Sequence, residues 1–340
     1  MEAAVSGKGI EGSSEVRGGC AYLVLSHKNP SQVESLAQRI LALSPTASVV
    51  IHHDRTGGPP PWDGREPPAR VQFVERTAVE WGGWSIVEAT VRLLRFAQEE
   101  LDHEWVVIVS GEHWPVTDLA SWEAELVASG ADARMPAEEL PRRLRFGRRD
   151  ADANRDLARC RLRWFRVARP RWAPAHKALA GLSKLSTLSH PVCKLEFSQR
   201  NDSWFVGVPR RRGAVTGWTL FKGSEWFACN RRAAAAVLQA DERVASWFRR
   251  SHIPDESYFQ SLLHRDGRLR IDHRVVTWVP PQPPAPTQGW MLLKADELPA
   301  VVTSGAAFAR KLDPKRNPEA IAASDAYVDA TRQSTAERVP

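Results

Sequence analysis

Three features of the chain concentrate residues able to do chemistry. In "RRSHIPDESYFQSLLHRDG", Asp255 and Glu256 stand directly before Tyr258, Phe259, Leu262 and Leu263. Two readings are open: the carboxylates start a helix, or Glu256 faces a cleft and takes a proton, as a carboxylate within reach of a hydroxyl can. In "SGAAFARKLDP", Arg310 and Lys311 follow the apolar anchor Phe308. They are either helix-end and surface charges or fixed positive charges for an anion. The third feature is a set of polar exits from apolar runs: Ser26-His27-Lys28, His52-His53-Asp54 and Ser110-Gly111-Glu112-His113. Each alone has an ordinary turn composition. In open α/β sheets, however, ligands gather outside the carboxyl ends of the strands, so the three together could line one cleft. Adjacent side chains on a strand point to opposite faces, which disfavours metal ligation by all of His52, His53 and Asp54. His113, beside Trp114, reads as a hydrogen-bonding member of the pocket.

The elements that must hold these groups follow a β-α-β order. "CAYLVLS" contains a compact apolar strand, Tyr22 to Leu25, and "SQVESLAQRILALS" has helical spacing with Ser31 and Glu34 as a capping box. "ASVVIHHD" is a second strand, and a Pro/Gly/Asp loop runs from Arg55 to about Pro68 before the strand "VQFVE". Gly82 and Gly83 then turn the chain into a long amphipathic helix with Ser85 as its cap. "EWVVIVS" is a fourth buried strand and "DLASWEAELVAS" a helix. From about Ser203 the sheet resumes in "WFVGVP" and "WTLFKGSEWFACN", followed by helices at "RRAAAAVLQ" and "DERVASWFRR". Asp255 is the expected cap of the helix beginning near Glu256. This alternation predicts an α/β fold with a central, mostly parallel sheet. The domain is expected to span 20–318, with 20–130 the nucleotide-holding half and 131–318 the acceptor and catalytic half. Residues 1–19 and 319–340 read as flexible or lightly docked tails.

Composition narrows the ligand class. The chain has 340 residues, a formal charge of +7 and only nine Lys among 47 basic residues, so a Lys in a telling context merits notice. A basic balance suits nucleotides, nucleic acid or acidic lipid. The Arg- and aromatic-rich segment 142–172 fits a nucleic-acid surface, a solvated helix, or a flap over an anionic ligand. Cys20, Cys160, Cys193 and Cys229 form no Cys-x-x-Cys pair, which disfavours a zinc knuckle. They read as thiols of a reducing compartment. No secretory apolar region and no run of transmembrane length occur in the sequence, so the expectation is a cytoplasmic protein without a transmembrane anchor.

No G-x-G-x-x-G and no G-x-x-x-x-G-K-[ST] occurs, which argues against the usual NAD and P-loop folds. No D-x-D follows the apolar strands. A nucleotide-sugar transferase without that motif must neutralise its leaving diphosphate with Lys and Arg.

Five fragments occur in one order: "VEWGGWSIVEA" at Val79 to Ala89, "IVSGEHWPV" at Ile108 to Val116, "FKGSEWFACNRR" at Phe221 to Arg232, "PDESYFQSLL" at Pro254 to Leu263 and "FARKLD" at Phe308 to Asp313. From about Ala21 to Asp313 the chain resembles the core-2/I-branching β-1,6-N-acetylglucosaminyltransferase and peptide O-xylosyltransferase family. The resemblance implies a GT-A-like fold, inverting transfer from a UDP-sugar, no required metal and no cofactor. It places the catalytic base at Glu256 and a diphosphate-binding Lys at Lys311. His113 stands where the family has Asp, and Arg274 is the candidate for a second diphosphate contact. The acceptor region near Asp132 to Arg143 matches poorly.

The expected donor site comprises His27, His52, Asp54, Gly82, Gly83, Ser110, Gly111, His113, Arg310 and Lys311. Glu225, Trp226 and Arg274 are the expected substrate-binding residues, Glu225 and Trp226 toward the acceptor and Arg274 toward the diphosphate, with Gly223 and Ser224 shaping the wall. A core role for Trp226 stays open beside sugar stacking. Of Trp81 and Trp84, one supports the donor pocket or both simply pack. The expected partners are a UDP-sugar carrying GlcNAc or a xylose-like unit and a glycan or small-molecule hydroxyl, with no nucleic acid. The alternatives are another NDP-sugar used on a small secondary metabolite of a bacterium, or a noncatalytic sugar- or nucleic-acid-binding protein.

Overall fold

Apolar runs too short for a helix and flanked by polar residues form the centre of the molecule. A computed structural model describes residues 19–142, 151–170, 172–188, 194–198, 202–281 and 291–336. Cys193, residues 1–18 of the N-terminal stretch and residues 143–150 of the Arg-rich segment lie outside the described residues. The first half runs β1 (Cys20–Ser26), α1 (Pro30–Leu43), β2 (Ser48–His53), β3 (Val71–Phe73), α2 (Trp84–Glu100), β4 (Trp105–Ser110), β5 (Trp114–Pro115) and α3 (Leu119–Ala128). Then follow β6 (Ala133–Arg134), β7 (Ala137–Glu139), α4 (Ala151–Arg161), β8 (Leu162–Ala168), α5 (Ala173–Leu188), β9 (Lys194–Ser198) and β10 (Ser203–Pro209). The last part comprises β11 (Phe221–Gly223), β12 (Ala228–Asn230), α6 (Arg231–Leu238), α7 (Glu242–Phe248), α8 (Tyr258–Arg265), β13 (Ile271–Asp272), β14 (Thr277–Trp278), α9 (Leu298–Thr303), β15 (Phe308–Ala309) and α10 (Pro318–Ala336).

The main sheet has the order β13-β6-β12-β4-β1-β2-β3. Its β4-β1-β2-β3 half is parallel. On the other side β12 runs antiparallel to both β4 and β6, so the sheet is mixed, more than a mostly parallel reading expects. Alternate side chains of each strand face opposite layers. Tyr22 and Val24 pack with Val33, Leu36 and Ile40 of α1 on one face. Ala21 and Leu23 pack with Leu93 and Leu94 of α2 on the other. The parallel register pairs Ser26 with His53 and Leu25 with both His52 and Ser110. The three polar strand exits therefore emerge side by side.

Two helix starts differ from expectation. Pro30 opens α1 after Asn29, which adopts φ 50°, and no side chain caps it. Proline suits a first helical position because its missing N–H has no partner there. Glu34 consequently accepts from the Trp62 N–H at 2.7 Å and pairs with Arg65 instead of closing a box with Ser31. Likewise Gly83 is the residue before α2, reached through Gly82 at φ +72°. Ser85 lies inside the first turn, where its hydroxyl accepts from the Glu80 N–H at 2.8 Å.

Residues 318–336 are not a loose tail. They form α10, burying Ala320, Ser324 and Val328 at helical spacing. The Ser324 hydroxyl donates to the Pro115 carbonyl at 2.9 Å, and Arg39 of α1 pairs with Asp325 and Asp329. A stripe of small residues carries no strong apolar signal in sequence, so docking of this helix is invisible there. In the described part of the Arg-rich segment, Arg159 pairs with Asp156 and Glu196, and Arg166 with Glu80. These side chains are occupied within the protein. Among the described residues no helix is long and apolar enough to cross a membrane.

Candidate active site

An open cleft of about 650 Å³ lies over the β1, β2 and β4 exits. It is closed by residues 224–226, 255–256 and 310–311, so both halves of the chain line it. Gly111 permits the close approach of two exits. A Cβ there would stand 2.8 Å from a Val33 methyl and 3.0 Å from Ser26 Cβ.

The β2 exit is held by neutral histidines. Ser26 Oγ lies 2.8 Å from His53 Nδ1. His52 Nε2 accepts from the Thr77 N–H at 3.2 Å, with the Thr77 hydroxyl 2.9 Å away. Burial lowers the pKa of both rings, and burial together with the Lys28 charge lowers that of His27. Asp54 organises the following turn, its Oδ1 accepting from the Thr56 N–H, the Thr56 hydroxyl and the Val79 N–H.

At the β4 exit the chemistry is ionic. Glu112 Oε1 lies 2.9 Å from Lys28 Nζ, and Oε2 lies 2.8 Å from Lys311 Nζ and 3.8 Å from Arg310 Nη2. Burial pushes the Glu112 pKa up, but the hydrogen bonds from Lys311 and Lys28 outweigh it and hold it at about 2. The segment carrying Arg310 and Lys311 is fixed by its backbone. The Arg310 N–H donates to Trp278 O, Lys311 N–H to Met291 O and Leu312 N–H to Glu112 O, while β15 pairs with β14 and β5. Arg310 also lies over the Trp226 ring at 5.1 Å and reaches Glu225 at 3.4 Å.

Carboxylates form the other part of the cleft. Pro254–Glu256 is one 3-10 turn entered through Ile253 at φ 50°. α8 follows from Ser257 with no side-chain cap, so Asp255 does not cap it. Instead Asp255 is buried at the cleft, and its Oδ1 has no hydrogen-bond partner. Burial first, then Glu225 and Glu256, raise the Asp255 pKa well above the carboxylate range. Burial and Glu225 also raise Glu256, against the pull of Lys222 and Arg159. Lys222 Nζ lies 4.0 Å from Glu256 Oε2 and 3.0 Å from Asp156 Oδ2. α8 sets this geometry: the Gln260 amide donates to Ser224 O at 2.7 Å, the Ser261 hydroxyl accepts from the Phe221 N–H at 3.0 Å, and Phe259 packs on Phe227.

Of the residues expected from sequence, His27, His52, Asp54, Ser110, Gly111, Glu225, Trp226, Glu256, Arg310 and Lys311 all line the cleft. His113, Gly82, Gly83 and Arg274 do not. His113 is fully buried behind Trp226, its ring 4.7 Å from the indole and its Nδ1 accepting from the Ser110 N–H. Burial, then Arg310 and Lys311, keep its pKa well below 6.5, so it is a neutral support. Gly82 accepts from the Ile253 N–H at 2.9 Å, tying the start of α2 to the turn that carries Glu256. Arg274 is committed to Glu125 and Asp272. Trp81 lines the cleft, whereas Trp84 packs on Tyr258 at 5.0 Å. Lys28 and Glu112 belong to the polar exits expected to line the cleft and do so, but their pairing was not foreseen. Lys222, near Glu256, was missed, and the scarcity of Lys was the one signal that could have found it. Among the described residues no group of three or more His, Cys, Asp or Glu is arranged to hold a metal ion.

No curated protein matches the chain. Among solved structures, a Bacillus anthracis protein designated a glucose-1-phosphate thymidylyltransferase, in complex with a sucrose, is 10% identical, with a TM-score of 0.31 over 74% of this chain and 85% of that one. Residues 190–301, about a third of the chain, match the family described as Core-2/I-Branching enzyme, and that stretch includes Glu225, Trp226 and Glu256 but ends before Arg310 and Lys311.

Proposed function

We propose that the protein is an inverting, metal-independent glycosyltransferase that moves a sugar from a UDP-sugar to an acceptor hydroxyl. The donor sugar is GlcNAc or a xylose-like unit. One observation carries the reading: a single cleft holds Lys28, Arg310 and Lys311 together with the carboxylate of Glu256. The Core-2/I-Branching similarity around Glu256 supports it.

In this mechanism the acceptor hydroxyl loses its proton to Glu256 as its oxygen attacks the anomeric carbon. The bond to the diphosphate oxygen breaks on the other side of that carbon, and its electron pair leaves with UDP. Lys311 and Arg310 meet the negative charge that develops there. One carboxylate suffices, since attack is direct and the leaving group needs charge neutralisation more than a proton. Glu225 lies between the two functions, pairing with Arg310 and raising Glu256. It is placed to bind an acceptor hydroxyl beside Trp226.

The pH dependence has a definite sign. A base must be ionised to act, so kcat/KM falls as pH drops through the Glu256 pKa, which is raised from the ordinary value. Lys222 favours the ionised form. Lys222→Met therefore moves the acidic limb of the kcat/KM profile to higher pH. An unmoved limb would show that Lys222 does not face the base.

The reading is tested by thermal denaturation with UDP-, TDP- and GDP-sugars in the presence of a chelator. A donor at about 100 times its Kd should stabilise the fold by about 2.7 kcal/mol, and a UDP-sugar is expected to raise the Tm. Stabilisation by a TDP- or GDP-sugar alone moves the proposal to a different donor. Stabilisation that vanishes with chelator, or by none of the donors, overturns it.

A further inference from the structure

Glu112 sits among the cleft cations as a ligand anion would. Its two oxygens each take one lysine ammonium, at 2.9 Å from Lys28 and 2.8 Å from Lys311, with Arg310 3.8 Å from the second oxygen. The three cations come from two distant parts of the chain: the β1 exit loop supplies Lys28, and the segment after β15 supplies the other two. They meet at the carboxyl ends of β1 and β4, where ligands of open α/β sheets gather. Lys28 is one of only nine lysines in the chain. Its side chain is 48% exposed, and it lines the cleft.

The Lys28 end of this cluster is half exposed, and an ion pair to an exposed lysine contributes little to stability. A purely structural role therefore explains poorly why Lys28 joins the more buried Glu112–Lys311 pair. A carboxylate bridging two ammonium groups is instead the arrangement that a phosphoryl group can replace oxygen for oxygen, since both present anionic oxygens to the same donors. The arginine expected to assist Lys311 does not do so: Arg274 is bound to Glu125 and Asp272 outside the cleft.

We infer that Lys28 is a further cationic group of the diphosphate subsite, beside Lys311 and Arg310, and that Glu112 is the chain's own occupant of that subsite, displaced when a nucleoside diphosphate binds. The inference rests on the reading of the cleft as a nucleoside-diphosphate-sugar site. On binding, the diphosphate takes the Lys28 and Lys311 ammonium groups from Glu112. The freed carboxylate keeps only Arg310 or turns to water. Glu112 thereby weakens donor binding and, once transfer is complete, returns to the lysines as UDP leaves. No covalent step is involved, and Glu256 plays no part.

The test is the Kd of UDP and of inorganic pyrophosphate, measured by isothermal titration calorimetry with chelator present. The proteins are the full chain and its Lys28→Met, Lys28→Gln, Glu112→Gln and Lys311→Ala variants, with the Tm of each recorded. Both Lys28 variants are expected to weaken both ligands about tenfold, the loss of one charge-assisted contact. Glu112→Gln is expected to tighten both by a similar factor. A structural role for Glu112 predicts weaker binding in that variant. Unchanged Kd in both Lys28 variants, or weaker binding in Glu112→Gln, overturns the inference. If Lys311→Ala weakens both ligands while the Lys28 variants do not, this inference fails alone. If the unsubstituted chain binds neither ligand, the diphosphate reading fails with it.

Discussion

Glu256→Gln is expected to lower transfer by about 10³-fold, within the range a positioned general base supplies, while the Kd for UDP stays within about twofold. The amide keeps the shape of the carboxylate and loses the ability to take a proton. A linkage argument gives the sign of the effect on stability. Burial and Glu225 raise the Glu256 pKa in the fold above its ordinary value. A group with a raised folded pKa contributes stability that is fully present below the unfolded pKa and is lost as pH rises through the folded value. At neutral pH the ionised carboxylate is thus the less favourable occupant, so the variant is expected to keep its Tm, which thermal denaturation checks. A single-turnover assay with saturating donor, paired with UDP titration, separates chemistry from binding. Substantial transfer by the variant would remove Glu256 from the role of base and move attention to Asp255 or Glu225, which share the cleft.

What was legible in the sequence follows from what short range encodes. The runs around Leu23, Val50 and Val107 are apolar throughout, so strands buried on both faces were readable. Once β1, β2 and β4 are parallel, their polar exits must emerge on one edge, and the cleft at Ser26, His52 and Ser110 follows. Charges that meet only through tertiary structure were not readable. Nothing near Lys28 announces Glu112, and nothing near Asp156 announces Lys222. His113 looked like a ligand-facing histidine because its neighbours Ser110 and Gly111 are; one further step along the turn places it behind Trp226. Arg274 is a comparable case. Its partners Glu125 and Asp272 are shared with Arg134, a fully buried guanidinium on β6 beside the edge strand β13, so it serves that edge of the sheet. The helix starts failed for a local reason. Ser31 and Ser85 are good capping residues, but Pro30 and Gly83 stand one and two positions earlier and begin the turn first.

Lys311→Ala is expected to lower turnover by about 10²-fold, the lower end of what loss of one preorganised charge-stabilising donor costs, and to weaken UDP about tenfold. The two effects have different origins. In the ground state the diphosphate already carries charge, so Lys311 helps to bind it, with Lys28 and Arg310 sharing the task. As the sugar–oxygen bond breaks, further negative charge collects on the leaving oxygen, and only a cation held in place beforehand meets it without reorganisation. Lys311 is held in place: its backbone N–H and carbonyl bond to Met291 and Leu293, and its side chain is 22% exposed. Burial lowers its pKa while Glu112 raises it. The diphosphate, carrying more negative charge than Glu112, would hold the ammonium charged throughout the reaction. Lys311→Arg keeps the charge but spreads it over a planar fork, so it should restore most of the UDP affinity and only part of the turnover. A variant with unchanged Kd and unchanged kcat would place Lys311 outside the donor site. A loss of affinity with full kcat would confine it to binding and leave the departing charge to Arg310.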